Sequence, residues 1–399
     1  MNDALPPAID RSARSLLEQF TGTSSASGDA AGLDRFAGLL AHEFASRGMG
    51  VQIERHDGKP VFLARGPAAA DRPLLLLSHL DTVLPARPPQ WDGDRLLATG
   101  SIDTKAGLAC LLSAFDLLRS EGLDVPADLC LAAVPDEEVA GEVSHRVTRH
   151  LGTLARAIWV LEPGEPRDGA ETLVAGRRGM FGWSLKVHGR SAHSGLHFWR
   201  GASALDAASR FATASRALSA RGRGATVNPA RLVAGDSSFV EDLARQHAMA
   251  GTGRQTNVVP DCAWLDGEAR FLTTEEGAVV RQQLEELRAR IAEETATSLS
   301  IEYGERVPPV DPRGPQRAAC EKAVALAAAR GWALEIEDDR GGISFSNFLE
   351  DPGRVPILDG LAPVGGGMHT RDEFLDWKSF ERRTYLLRDL LAAEPRLTA

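Results

Sequence analysis

An α/β fold is predicted, with a mostly parallel sheet covered by helices on both faces and an inserted ferredoxin-like βαββαβ unit. Three observations predict it. Residues 74–77, 129–134 and 158–161 are solid apolar runs, as expected of strands buried on both faces. Helical stripes flank them: Leu33, Phe36, Leu39, Leu40 and Phe44, then Leu108, Leu111, Leu112, Phe115 and Leu118, the latter ending near Gly122. The pattern then changes. Residues 181–187 alternate like a half-exposed strand, and helix 202–218, strands 226–234 and 262–271, helix 276–295 and strand 299–303 follow. After Pro308 the first pattern returns, with helix 318–330, strand 355–358 and helix 379–392. The expected division is a discontinuous catalytic domain of residues 1–177 and 305–399 around an inserted domain of residues 178–304.

The 399 residues exceed one comfortable core, in keeping with two domains. A net charge of −10 argues against nucleic acid, which needs a basic surface. No apolar stretch approaches membrane-spanning length, and the first residues lack a basic start followed by an apolar run, so a cytoplasmic protein is expected. Cys110, Cys130, Cys262 and Cys320 are scattered, without a CxxC pair, and read as buried free thiols.

Chemistry gathers where the buried strands end. In open α/β sheets, sites form beyond the carboxyl ends of strands. The first strand runs into Ser78-His79-Leu80-Asp81-Thr82, the second into Pro135-Asp136-Glu137-Glu138, the third into Glu162-Pro163. Gly100-Ser101-Ile102-Asp103-Thr104-Lys105 precedes a helix, and His369 follows Gly365-Gly366-Gly367-Met368. Singly, His79 reads as a structural histidine, Glu137-Glu138 as a solvated charge run and the glycines as weak evidence. Jointly they differ, because independent surface charges do not all choose strand ends. Carboxylates so close repel one another unless a cation lies between them. Mixed imidazole and carboxylate donors suit zinc first, with manganese or cobalt as substitutes. Five donors hold two ions if one carboxylate bridges, and such ions sit about 3.5–4 Å apart.

The segments His79-Leu80-Asp81-Thr82-Val83, Gly100-Ser101-Ile102-Asp103-Thr104-Lys105-Ala106-Gly107, Asp136-Glu137-Glu138, Leu161-Glu162-Pro163 and Gly366-Gly367-Met368-His369-Thr370 together resemble the di-metal amidohydrolase family of glutamate carboxypeptidase, acetylornithine deacetylase and succinyl-diaminopimelate desuccinylase. The stretch from Leu358 to Gly367 is most similar to the glutamate-carboxypeptidase-like branch. The resemblance implies that Asp103 bridges two metal ions, with His79 and Glu162 completing one site and Glu138 and His369 the other. It implies that Asp81 orients His79 and that Glu137 is the general base toward a metal-bridging water, passing the proton to the leaving amine. It also implies a cis peptide after Asp103. The inserted domain resembles the family's dimerisation domain, so a homodimer is expected. Ser191-Ala192-His193-Ser194-Gly195 matches a motif whose histidine stabilises the oxyanion across the dimer, and Asn257 and Arg270 match substrate-binding positions. The remaining histidines, His197 included, read as surface or structural.

One position departs from the pattern. In Gly341-Gly342-Ile343-Ser344-Phe345-Ser346-Asn347, Phe345 stands where related sequences tend to carry an acidic residue, so it is expected in the substrate pocket, facing an apolar group. The favoured activity is metal-dependent hydrolysis of an amide bond in a small N-acyl amino acid or short peptide with a free carboxylate. Its rivals are an N-acyl amino acid deacylase, an aminohydrolase of an aromatic amine, and a non-catalytic binding protein on the same fold.

Overall fold

In a computed structural model, residues 4–68, 70–246 and 258–395 are described. The chain divides into two compact units, residues 1–177 with 310–399, and residues 178–309.

The larger unit is built on a six-stranded sheet in the spatial order Gly50–His56, Lys59–Arg65, Leu129–Val134, Leu74–His79, Ala157–Val160, Ile357–Leu358. The first two strands form an antiparallel hairpin that joins the third antiparallel, and the remaining neighbours are parallel. Successive side chains of a strand point to opposite faces, and both faces are covered. Leu74, Leu76, Leu129 and Leu131 pack into a core with Phe20, Phe36, Leu108 and Leu387 from the helices Pro7–Gly22, Ala30–Ser46, Lys105–Ser120 and Trp377–Ala392. Leu75, Leu77, Ala132 and Val134 pack on the other face with Val143 and Val147 of helix Glu142–Leu154. Each such leucine contributes about 1.5–3 kcal/mol by leaving water, which is why these runs carry no polar alternation.

Two shorter sheets complete this unit. Strands Phe374–Asp376 and Arg95–Leu97 pair antiparallel, flanked by Gly365–Gly366 and Gln90–Asp92. Leu334–Glu337 pairs parallel with Ala170–Val174, which also pairs with Pro166–Arg167.

The smaller unit is one antiparallel sheet in the order Thr226–Gly235, Cys262–Phe271, Gly179–His188, Ser298–Val307. Helices Ala204–Arg216 and Thr274–Thr295 follow the strands in the βαββαβ order, and an additional helix, Ser237–Gln246, lies between the second and third strands. Gly179–His188 alternates between buried and half-buried positions, so one face carries Phe181, Trp183, Leu185 and Val187 into a separate core. Its last strand continues to Val307, past the alternation at 299–303.

Among the described residues no helix is long and apolar enough to cross a membrane. All four cysteines are free and buried.

Candidate metal centre

Parallel register places the donors. Leu77 is level with Val160 and His79 with Val134, so two residues past Val160 the chain reaches Glu162 beside His79. The turn after Val134 brings Glu137 and Glu138 to the same edge. Asp103 and His369 come from the smaller antiparallel pair. Leu97 pairs with Phe374, so the segment leaving one strand and the segment leading into the other lie at one end. The Asp103–Thr104 peptide is cis, and the Thr104 hydroxyl donates to the Leu161 carbonyl beside Glu162.

The two oxygens of Asp103 face two separate groups. Oδ1 lies 2.9 Å from His79 Nε2, which is also 3.5 Å from Glu162 Oε1. Oδ2 lies 3.0 Å from His369 Nε2, which is 3.1 Å from Glu138 Oε2. Two sets with metal-holding geometry overlap here, His79 with Glu137 and Glu162, and His79 with Asp103 and Glu138. Asp81 supports them. Its backbone carbonyl lies 2.8 Å from His79 Nδ1, and its carboxylate accepts the amides of Glu137 and Glu138 and the Ser27 hydroxyl. With Nδ1–H donating to the Asp81 carbonyl, the Nε2 lone pair would be available to a cation.

The electrostatics of the cluster favour positive charge. Burial, reinforced by the charges of Asp103, Glu138 and Asp81, pushes the Glu137 carboxyl up to about 8. Burial and the Asp103 charge drive Glu162 well above the carboxylate range, and one buried oxygen of Glu162 has no hydrogen-bond partner. Burial opposes charge on His79 and Asp103. The hydrogen bonds of Asp103 and Asp81 nevertheless raise His79, and those of His369 and His79 lower Asp103. Acidic groups crowded around two imidazoles, with an orphaned carboxylate oxygen, fit divalent cations by donor chemistry and by charge.

The other expected residues fall elsewhere. Phe345 has no exposed surface. It packs in the apolar core with its ring 6.2 Å from that of His79 and 6.4 Å from Phe348. The ring expected to face an apolar substrate group is thus packed against the His79 side of the core. Asn257 lies outside the described residues. Arg270 sits on strand Cys262–Phe271 of the smaller unit, with Nε 2.9 Å from Glu268 Oε1. His193, also in the smaller unit, is exposed and its Nδ1 accepts the amides of Gly195 and Leu196, both at 3.1 Å. With Nδ1 accepting, Nε2 is the ring nitrogen left to donate.

Sequence reasoning missed several partners. Asp136 Oδ1 accepts the amide and hydroxyl of Ser144, capping helix Glu142–Leu154 from a distance, while Lys59 Nζ meets Oδ2 at 2.6 Å. Arg177 makes two bonds to Asp359, at 2.6 and 3.0 Å, and its charge opposes the upward shift of Glu162. Glu373 accepts three amides of the Asp103 loop. The Glu373 side chain, meeting backbone N–H groups, and Asp136, meeting partners distant in sequence, leave no periodic trace; the sequence signal is proximity, Glu373 lying shortly after His369 and Asp136 directly before Glu137.

Fold and site together define a dinuclear metallohydrolase. The model of peptidase family M20/M25/M40 matches residues 75–393, and the chain belongs to that family. It is 24% identical over 394 residues to carboxypeptidase G2 of Pseudomonas sp. (strain RS-16), covering 96% of this chain and 89% of that protein. Its fold is that of aminopeptidase PepT from Bacillus cereus, with a TM-score of 0.76, 19% identity, and 96% and 99% of the two chains covered. A dinuclear metal binding peptidase of the M20 family from Bacillus subtilis matches with a TM-score of 0.67 at 14% identity, covering 97% of this chain and 99% of that one. The chain is a carboxypeptidase-like metallopeptidase.

Proposed function

We propose that this metallopeptidase hydrolyses an amide bond in a small N-acyl amino acid or short peptide that ends in a free carboxylate. The observation that carries the reading is the division of Asp103, one oxygen toward His79 and Glu162 and the other toward His369 and Glu138. In this reading His79, Asp103 and Glu162 hold one divalent ion, and Asp103, Glu138 and His369 hold the other, with zinc the first choice and manganese or cobalt able to replace it. When bound, the ions polarise the scissile carbonyl and lower the pKa of water.

Glu137 has no ligand role in this assignment. Its place beside His79 and Glu162 suits a group that takes a proton from the attacking water and gives it to the departing amine. Asp81 holds the His79 ring and the Glu137 and Glu138 backbone in place. The smaller unit pairs two copies into a homodimer, and the Nε2–H of His193 stabilises the developing oxyanion in the partner's site. Arg270 and Asn257 receive the terminal carboxylate.

Hydrolysis of a panel of dipeptides and N-acyl amino acids, with added zinc, manganese or cobalt, tests the reading. Turnover confined to substrates with a free terminal carboxylate is expected. Equal turnover of their amides, or none anywhere in the panel, overturns the proposed substrate class.

A further inference from the structure

We propose that Glu373 is a positioning residue for the metal centre, fixing the loop that carries Asp103. Its carboxylate is buried and spans the backbone of that loop. Oε2 accepts the Gly100 amide at 2.8 Å, and Oε1 accepts the amides of Ile102 at 2.9 Å and Asp103 at 3.2 Å. Three N–H groups converging on one carboxylate form a concave anion site made of main chain. Gly100, whose amide makes the first of these bonds, adopts a φ of 73°, a conformation that L side chains rarely take.

Glu373 is itself held at its backbone. Its carbonyl accepts the Ala98 amide at 3.2 Å and Arg87 Nη2 at 3.1 Å, and the next residue, Phe374, pairs with Leu97. The side chain therefore ties the segment bearing Asp103 to the segment bearing His369, across the end of the small antiparallel sheet. His369 reaches Asp103 Oδ2 from a backbone φ of 63°, unusual for a residue with a side chain, so its own loop needs holding. Glu373 sets where Asp103 stands, and Asp103 faces both groups of donors.

The inference rests on the reading of Asp103 as the shared ligand, and the test separates the two. Zinc affinity of the full-length apoprotein is measured by competition with a chelating dye for wild type, Asp103→Asn, Glu373→Gln and Glu373→Ala, alongside thermal melts without metal. Asp103→Asn should lose tight binding of both ions. Glu373→Gln keeps one acceptor oxygen but turns an NH2 group toward an N–H donor. It should weaken both ions by about 10–100-fold, the usual effect of removing an outer partner of a metal ligand. Glu373→Ala should weaken them at least as much. If Glu373→Ala does not fold, Glu373→Gln carries the test alone. Wild-type zinc affinity in the folded Glu373 variants, with Asp103→Asn defective, overturns the role of Glu373 whatever happens to the melts. Retention of both ions by Asp103→Asn overturns the shared-ligand reading, and this inference with it.

Discussion

The Asp81 carboxylate holds the backbone amide of Glu137, with Oδ1 accepting it at 3.1 Å. Its other oxygen accepts the amide of Glu138 at 3.3 Å and the Ser27 hydroxyl at 2.7 Å. Asp81 thus couples three parts of the centre: the His79 ring, the proposed base and a proposed ligand. Asp81→Ala leaves two amides and a hydroxyl without their acceptor in a buried setting. A loss of about 1–3 kcal/mol of stability per orphaned group is the upper scale, and metal affinity should fall about 10–100-fold. Asp81→Asn, which keeps one acceptor oxygen, should do less of both. Denaturant melts and zinc titration check this; equal behaviour of the two variants would mean that water replaces the carboxylate.

Glu137→Gln should abolish turnover while about two ions stay bound. Removing a general base lowers rates by about 10²–10⁴-fold. Metal analysis of the purified variant decides the assignment. Parallel loss of metal and activity would make Glu137 a ligand, which its place beside His79 and Glu162 also permits.

His193 has its tautomer set by its own loop, since Nδ1 accepts two amides. His193→Ala should lower kcat by about 10²–10³-fold, the scale for losing one oxyanion donor. Mixing it with Glu137→Ala chains should restore part of the activity, because one site of each mixed dimer keeps both groups. Failure to complement despite proven subunit exchange would remove the role across a dimer.

How much could be read from the chain follows from what each feature requires. The central strands were legible because both faces are buried, leaving solid apolar runs such as Leu74 to Leu77. His79, Glu137, Glu138 and Glu162 stood out as candidates because they follow those runs within a few residues, whereas Asp103 and His369 come from the smaller antiparallel pair and stood out only beside glycine-bearing segments. The edge hairpin Gly50–His56 and Lys59–Arg65 was not, since its first strand is half-exposed and carries mixed polarity. The direction of the Phe345 side chain was not legible, because a missing charge in a motif says nothing about which way a side chain points; the structure buries it in the core. Glu373 and Asp136 escaped because their partners are backbone amides and distant side chains brought close by strand register.

Thiol chemistry gives a check on the core and a pH dependence. Burial pushes Cys110 and Cys320 up to about 12. A thiolate is the reactive form, so neither should react with a disulfide reagent at pH 8 unless the chain unfolds. The sign follows from linkage: the folded pKa exceeds the ordinary value of 9.0, so below pH 9 the two thiols are neutral in both states and stability is unaffected. As pH rises from about 9 toward 12, only the unfolded chain ionises and stability falls. Replacing both by Ser or Ala should flatten that alkaline decline. Rapid labelling of native protein at pH 8 would place these thiols outside the core.

Arg270 is the test of the proposed free carboxylate. In the structure its Nε meets Glu268 at 2.9 Å, and both side chains are about a third exposed. An exposed pair of this kind contributes only about 0–1 kcal/mol, so a substrate carboxylate can compete for the guanidinium. The planar fork suits two parallel bonds to a carboxylate, whereas Lys offers a single point charge. Losing one charge-assisted bond amounts to about 1.5–3 kcal/mol, or roughly ten- to more than a hundredfold in kcat/KM. Arg270→Lys should therefore harm turnover of free-carboxylate substrates far more than that of their neutral amides, with fold and metal content intact. Glu268→Gln should leave the free-carboxylate activity in place or raise it, because it releases the guanidinium from a competitor. If Arg270→Lys affects both substrate forms alike, or neither, Arg270 is structural and the free-carboxylate reading loses its support.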